Sequence, residues 1–157
     1  MRSFLRYATL PIRRYADFSG RARRAELVAF WVLVTVVEEG PALVVPFSPA
    51  GRAIFALLVT TVFVLPIAAL FVRRVHDVGF SGWWLAPLIP IAAHGLWENV
   101  QAIADPYEIT GPSPTLIDVL GLAFGLAAAL MLFWNDQVGE NRFGPNPRDA
   151  AGPAQPG

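Results

Sequence analysis

The sequence predicts an all-α, polytopic membrane protein with four transmembrane helices and an N-terminal basic amphipathic segment. Hydrophobic residues make up 55% of the 157 residues and charged residues only 15%, whereas a soluble domain carries about a quarter charged residues. The charges are also segregated, which leaves long stretches with almost none. One small core cannot bury that much continuous apolar surface, so lipid must cover the rest. The arginines, finally, collect on one side of the predicted topology.

The clearest predicted span is residues 53–72, twenty residues without a charge. A helix of that length rises about 30 Å, which matches the hydrocarbon core of a bilayer. Pro66 lies within it and is compatible with a membrane helix. A second span is predicted at about 116–134, where Asp118 follows a helix start of the capping-box type and is expected near the interface.

The first predicted span, about 25–47, is interrupted. It is strongly apolar up to Glu38 and Glu39, which are followed by Gly40 and Pro41. Either the helix breaks there and the apolar stretch 42–47 completes the crossing, or the glutamates reach the far interface. We favour a broken or kinked span, because the helix up to Glu39 rises only about 21 Å.

The orientation follows from the arginines, which supply all twelve basic residues. Seven precede the first span (Arg2, Arg6, Arg13, Arg14, Arg21, Arg23 and Arg24), four more fall on the same side (Arg73, Arg74, Arg142 and Arg148), and Arg52 falls on the other. The positive-inside rule therefore predicts that both termini are cytoplasmic. Residues 1–24 form a cytoplasmic segment, residues 25–134 the transmembrane domain and residues 135–157 a cytoplasmic tail, disordered from about residue 148.

The N-terminal segment alternates arginines with apolar residues such as Phe4, Leu5 and Ile12. This pattern predicts an amphipathic segment along the inner leaflet, with anionic phospholipid headgroups as its partners. The alternative is a disordered basic arm. The sequence contains no cysteine, so disulfides and thiolate metal sites are excluded.

Three polar segments fall on the predicted cytoplasmic side, at residues 18–26, 73–84 and 139–147. Their letters, FSGRARRAE, RRVHDVGFSGWW and GENRFGPNP, resemble in order and spacing the motifs of the bacterial inner-membrane family known as domain-of-unknown-function family 805. The resemblance covers roughly residues 15–147. It implies the same topology in a bacterial inner membrane, and the family has no established activity. This chain departs from the family pattern at Ala25, Leu27 and Val75.

These segments contribute the candidate residues of a cytoplasmic-face motif: Arg21, Arg23, Arg24, Glu26, Arg73, Arg74, His76, Asp77, Glu140, Asn141 and Arg142. One explanation for the arginines is topology and contact with lipid phosphate. The other is a fixed network that joins the three segments into one anion-binding or partner-docking surface. His76 beside Asp77 is either a proton-transfer pair or a structural one, and the structural role is the commoner.

A second group of polar residues is predicted inside the membrane. The span at about 83–104 contains His94 and Glu98 on one helix face, and Glu38 and Glu39 reach a similar depth in the first span. Ionisable groups at this depth are unfavourable unless they face one another or water. We therefore expect an intramembrane polar cluster. Its residues are either neutral and hydrogen-bonded between helices or form an ion site.

Three classes of function remain open. The first is a non-catalytic scaffold that binds lipid or a partner through the arginine-rich cytoplasmic face. The second is a small oligomeric transporter or channel that uses the intramembrane carboxylates. The third is a membrane enzyme that acts on anionic lipid headgroups. We favour the first, because the sequence lacks a nucleophile elbow, a metalloprotease helix and a phosphate loop. It predicts no catalytic residue, cofactor, metal or nucleic-acid partner, and leaves a homo-oligomer or another membrane protein open.

Overall fold

The computed structural model describes residues 2–105, 116–135 and 137–149, which form five α-helices and two short 3-10 helices. In chain order these are α1 (Arg2–Arg13), α2 (Arg24–Glu39), a 3-10 helix (Gly40–Leu43), α3 (Pro49–Asp77), a second 3-10 helix (Gly82–Leu85), α4 (Leu88–Ala104) and α5 (Leu116–Phe133). The described ranges contain no strand, so the predicted all-α class is confirmed. Most of the predicted outer loop, the predicted disordered tail from residue 150 and the side chain of Asp118 lie outside the described residues.

Helix α1 is docked on the rest of the chain through one face. It packs mainly against α2 and to a lesser extent against α3. Ala8 and Pro11 are buried in this contact, whereas Leu5 and Ile12 on the flank of the same apolar face stay exposed. Arg13 lies exposed in its last turn, where a cation complements the helix dipole.

Helix α2 ends where the sequence interrupts the first apolar run. Pro41 has no backbone N–H and cannot continue the α-helical hydrogen-bond ladder. The chain accordingly passes from Glu39 into the 3-10 helix Gly40–Leu43, and the N–H of Val44 donates to the carbonyl of Pro41. The sixteen residues of α2 rise about 24 Å, so the break falls near the far end of the apolar run.

Helix α3 is the longest element, with 29 residues. Ser48 caps its start by accepting a hydrogen bond from the N–H of Gly51 at 3.1 Å, and Pro49 occupies the first turn, where its missing N–H costs nothing. Arg74 and His76 lie in the last turn, on the side that the helix dipole favours for cations. Of the four predicted spans, α3 is the one helix among the described residues that is long and apolar enough to cross a membrane.

The helices pack around α3, which contacts α1, α2, α4 and α5. The buried apolar cluster lies between α2 and the second half of α3 and comprises Ala22, Leu27, Phe30 and Leu70. Phe30 also meets Phe63 with ring centroids 5.9 Å apart. Outside this cluster, much of the helix surface is apolar and exposed. Leu58 in the first half of α3, for example, is 61% exposed.

This packing predicts unequal effects for two leucines of the same helix. Leu70→Ala removes a side chain that is 1% exposed, and we expect it to lower the free energy of unfolding by about 2–5 kcal/mol. The matched variant Leu58→Ala alters a side chain outside the cluster and should change stability by about 0.5 kcal/mol or less. Unfolding of the purified protein in detergent micelles measures both, and equal losses would contradict the assigned core.

Candidate functional site

The three polar segments meet at the C-terminal end of α3, where the last carbonyls of a helix lack intrahelical partners. The N–H of Ala22 donates to the carbonyl of Arg73 at 3.1 Å, and the N–H of Gln137 donates to that of Asp77 at 3.1 Å. The side-chain amide of Asn141 donates to the carbonyl of His76 at 3.0 Å. The first segment therefore docks on the last turn of α3, and Gln137 and the third segment cap its final carbonyls. We call this assembly the three-motif site.

Arg21 joins all three segments through one guanidinium. Its side chain is fully buried, and Nε donates to Oδ1 of Asp77 at 2.7 Å. Nη1 donates to the carbonyl of Gly139 at 2.7 Å, and Nη2 to that of Gln137 at 2.6 Å. A charge-assisted hydrogen bond to a carboxylate is about twice as strong as a neutral one, so this contact fixes the first segment on the end of α3.

Arg74 occupies the other oxygen of the same carboxylate. Its Nη1 pairs with Oδ2 of Asp77, one helical turn along α3, and both side chains are buried. Nη2 donates to the carbonyl of Trp134 at 2.8 Å, and Arg24 donates to that same carbonyl at 2.8 Å. The single carboxylate of Asp77 therefore lies between two buried guanidinium groups, and backbone carbonyls accept further hydrogen bonds from both.

A second buried ion pair lies beside the first. Nη1 of Arg73 approaches Oε1 of Glu26 at 3.2 Å, and both side chains are at most 5% exposed. Nε of Arg73 also donates to the carbonyl of Ala69 over a long distance of 3.4 Å. The Arg73–Glu26 ion pair therefore joins α2 to the end of α3.

Two glycines give the turns their shape. Gly79 has a φ of +92°, and a Cβ there would lie 2.4 Å from Nε2 of Gln137. Gly144 has a φ of +119° and exchanges backbone hydrogen bonds with Asn141 at 2.9 and 3.1 Å. Since residues with side chains rarely adopt such φ values, the second and third segments depend on glycine at these positions.

The family model described as "Protein of unknown function (DUF805)" matches residues 15–145, most of the chain and nearly all of the three-motif site. The chain belongs to this family. No curated protein and no solved structure matches it. The resemblance seen in the motifs is thus confirmed, and the three motifs of this DUF805 chain are the segments that the structure brings together.

His76 and Asp77 of the DUF805 chain are neighbours in sequence with different partners. The Nδ1–H of His76 donates to the carbonyl of Gly20 at 3.2 Å, and its ring stacks on Phe143 with centroids 3.8 Å apart. Burial lowers the pKa of His76, which favours the neutral ring at pH 7. Since the carboxylate of Asp77 is held by Arg21 and Arg74, these contacts favour the structural interpretation of the pair over proton transfer.

The remaining candidates of the cytoplasmic-face motif lie at the edge of the site. Arg23 donates to the carbonyl of Pro147 and, at 3.2 Å, to the hydroxyl of Tyr7 in α1. Arg142 is exposed, lies 4.6 Å over the ring of Phe143 and donates to the carbonyl of Gly79. Glu140 is exposed. The predicted network thus contains the aspartate and the buried arginines, whereas Glu140 faces outward.

Two further residues of the site escaped the sequence-based prediction. Asn146 is 6% exposed, donates to the carbonyl of Gln137 at 3.1 Å and accepts from the N–H of Arg148 at 2.9 Å. Gln137 lies outside all three motifs and contributes its backbone N–H and carbonyl, and its side-chain oxygen accepts from Asn141 at 3.1 Å. For Asn146 the signal was present, because asparagine before a proline favours a turn.

The four residues of the predicted intramembrane polar cluster lie in different places. Glu39 pairs with Arg52 at 3.0 Å on the surface. Glu38 lines a cleft between α2 and α3, together with apolar residues such as Trp31 and Ile67. On α4, which packs against α3 and α5, His94 approaches Glu98 at 3.9 Å. The described contacts thus give the two glutamates to α2 and the His94–Glu98 pair to α4, and both helices pack against α3. No group of three metal-binding side chains converges within the described residues.

The geometry predicts that Asp77 is the most sensitive acidic residue of the site. Asp77→Asn removes the negative charge that pairs with two buried guanidinium groups. Removing one partner of a buried ion pair destabilises a protein by about 3–5 kcal/mol. We expect a loss of that size in the free energy of unfolding in detergent. Glu140→Gln, the matched neutralisation of an exposed residue in the third segment, should change it by about 0.5 kcal/mol or less. A tolerated Asp77→Asn would refute the central role of this carboxylate.

Proposed function

We propose that this DUF805 chain is a multi-pass protein of the bacterial inner membrane, with spans at about 25–47, 53–72, 83–104 and 116–134. Helix α3 carries the length and composition for a crossing. Helix α5 is eighteen residues long and almost entirely apolar. Helix α4 and the α2 segment with its 3-10 extension are the shorter spans, which tilt and local thinning of the bilayer accommodate.

The distribution of side chains between inside and outside supports the proposal. The two largest fully buried side chains among the described residues are Arg73 and Arg74. Large apolar side chains are instead exposed along the helices, for instance Trp31 at 60% and Leu130 at 68%. A water-soluble domain keeps such surface to small patches. Lipid is the solvent that makes an apolar exterior favourable.

We further propose that the three-motif site and both termini face the cytoplasm. In the predicted topology eleven of the twelve arginines fall on the side of the site, and Arg52 lies in the first turn of α3, opposite its end at the site. This asymmetry sets orientation in bacterial membranes. Trp83, Trp84 and Trp134 are exposed near the site, where interfacial tryptophans are expected.

Because the chain lacks cysteine, single cysteines test this topology cleanly. Ser48→Cys and Val138→Cys are a matched pair, since both side chains are exposed and lie outside the proposed spans, one after the first span and one after the last. We expect a membrane-impermeant maleimide to label position 48 in intact cells, and position 138 only after permeabilisation. External labelling at position 138 would invert the orientation.

The biochemical role that the geometry supports best is a non-catalytic scaffold whose cytoplasmic face binds anionic phospholipid headgroups. One observation carries this proposal, namely the division of the arginines into two sets. Arg21, Arg73 and Arg74 are buried and paired within the chain, so they hold the face together. Arg6 and Arg13 of α1 are exposed and are available to phosphate.

The two alternative functions receive less support from the contacts. A transporter or channel needs carboxylates that share a path, whereas Glu38 and Glu98 belong to different helix interfaces. An enzyme acting on headgroups needs accessible reacting groups near His76, whose ring is stacked on Phe143 and bonded to Gly20. Neither the transporter nor the enzyme requires the arginines of α1. The following experiment therefore distinguishes both from a lipid-binding scaffold.

Quenching of tryptophan fluorescence by brominated lipids measures the preference of the reconstituted protein for phosphatidylglycerol over phosphatidylcholine. Each arginine near an anionic surface contributes about 1 kcal/mol, or roughly a fivefold preference. Arg6→Gln and Arg13→Gln should each lower the preference by about that factor, and added salt should reduce it in the wild type. Arg52→Gln is the control on the opposite side. An equal loss for Arg52→Gln, or no preference in the wild type, would reject lipid binding by this face.

A further inference from the structure

Pro66 lies inside α3 and is fully buried. Proline has no backbone N–H, so the carbonyl four residues earlier loses its helical partner. In α3 that carbonyl belongs to Val62. The side chain of Val62 is 54% exposed, and the residue lies eleven positions before Arg73, which places it about 16 Å along the helix.

A donor for this carbonyl comes from the N-terminal part of the chain. The hydroxyl of Tyr15 donates to the carbonyl oxygen of Val62 at 2.5 Å, across 47 positions in sequence. Tyr15 lies between α1 and α2, two residues after the end of α1. The hydrogen bond therefore joins the segment before α2 to the one backbone acceptor that Pro66 leaves without its helical donor.

The membrane environment makes this contact important. Lipid offers no hydrogen bond, so a carbonyl freed by proline in a membrane helix must find a protein or water donor. The free energy of leaving an amide carbonyl unpaired in an apolar medium is several times that of a typical hydrogen bond in water. Tyrosine suits this position, because its ring is apolar and only its hydroxyl is polar.

We propose that Tyr15 is the replacement donor for the Val62 carbonyl, so that residues 14–22 form a latch that closes the proline site of α3. The latch has two ends. Tyr15 holds it at Val62, and Ala22 and Arg21 hold it at Arg73 and Asp77. The inference goes beyond lipid binding, because it assigns the segment after α1 a role within the bundle. Anything that moves α1 at the membrane surface then acts on α3 at the depth of Pro66.

A double-mutant cycle in detergent micelles tests the assignment. Tyr15→Phe should raise the unfolding equilibrium constant roughly threefold to twentyfold, the range for interhelical hydrogen bonds in membrane proteins. Pro66→Ala restores an N–H for Val62, so Tyr15→Phe in that background should have little further effect.

Tyr7→Phe is the matched control. It removes the hydroxyl bonded to Arg23 and should be additive with Pro66→Ala. Additivity of Tyr15→Phe with Pro66→Ala would overturn the proposal.

A second measurement observes the carbonyl itself and does not depend on stability. Val62–Phe63 is the one Val-Phe pair in the sequence, so labelling with carbonyl-¹³C valine and ¹⁵N phenylalanine gives a single correlated resonance for Val62. Loss of a hydrogen bond shifts a carbonyl resonance upfield, and Tyr15→Phe should produce that shift while Tyr7→Phe should not. An unchanged resonance in Tyr15→Phe would mean that Tyr15 is not the donor, whatever lipid-binding experiments find.

Discussion

The carboxylate of Asp77 is the group on which the rest of this structure depends. It accepts Arg21 on one oxygen and Arg74 on the other, and all three side chains are buried. Without this carboxylate, Arg21 and Arg74 would be buried without a counter-charge, and an unpaired buried charge is strongly destabilising. Through Arg21 the carboxylate holds the segment before α2, and through the carbonyls that Arg21 and Arg74 contact it holds the segment after α5.

The charges of the three-motif site do not cancel within the buried side chains. Arg21, Arg73 and Arg74 face Glu26 and Asp77, so the buried set carries one positive charge in excess. Backbone carbonyls of Trp134, Gln137 and Gly139 supply the compensating partial charges. Within the third motif, the turns of the backbone bring the carbonyls of Gly139 and Pro147 to the guanidinium groups of Arg21 and Arg23.

Sequence patterns predicted what depends on composition and local chemistry. The all-α class follows from apolar runs of helical length, and the family follows from three motifs in order. Complementary charges also suggested that Arg21, Arg74 and Asp77 share a network, which the contacts now describe. The distribution of Glu38 and His94 was not predictable in this way. Helix rise fixes the depth of a residue, but it does not say which helices are neighbours, and here α2 and α4 each pack against α3.

Hydrogen bonds made by backbone groups could not be predicted from the sequence either. Gln137 contributes its carbonyl and its N–H, and Val62 contributes a carbonyl freed by a residue four positions away. Nothing in the identity of glutamine or valine signals either role. Pro66 did signal an unpaired carbonyl, but the donor lies 47 positions from Val62, and only the packed structure brings Tyr15 beside it.

The capping of α3 by segments before α2 and after α5 has a consequence for biogenesis. The segment around Arg21 is synthesised before α3, whereas Gln137 and Asn141 are synthesised only after α5. Until then the carbonyls of His76 and Asp77 lack these partners, and Arg21 lacks two of its acceptors. The site therefore assembles only after α5 has been synthesised. During synthesis α3 precedes the groups that cap it, so its last carbonyls and the guanidinium of Arg21 depend on water until residues 137–141 follow.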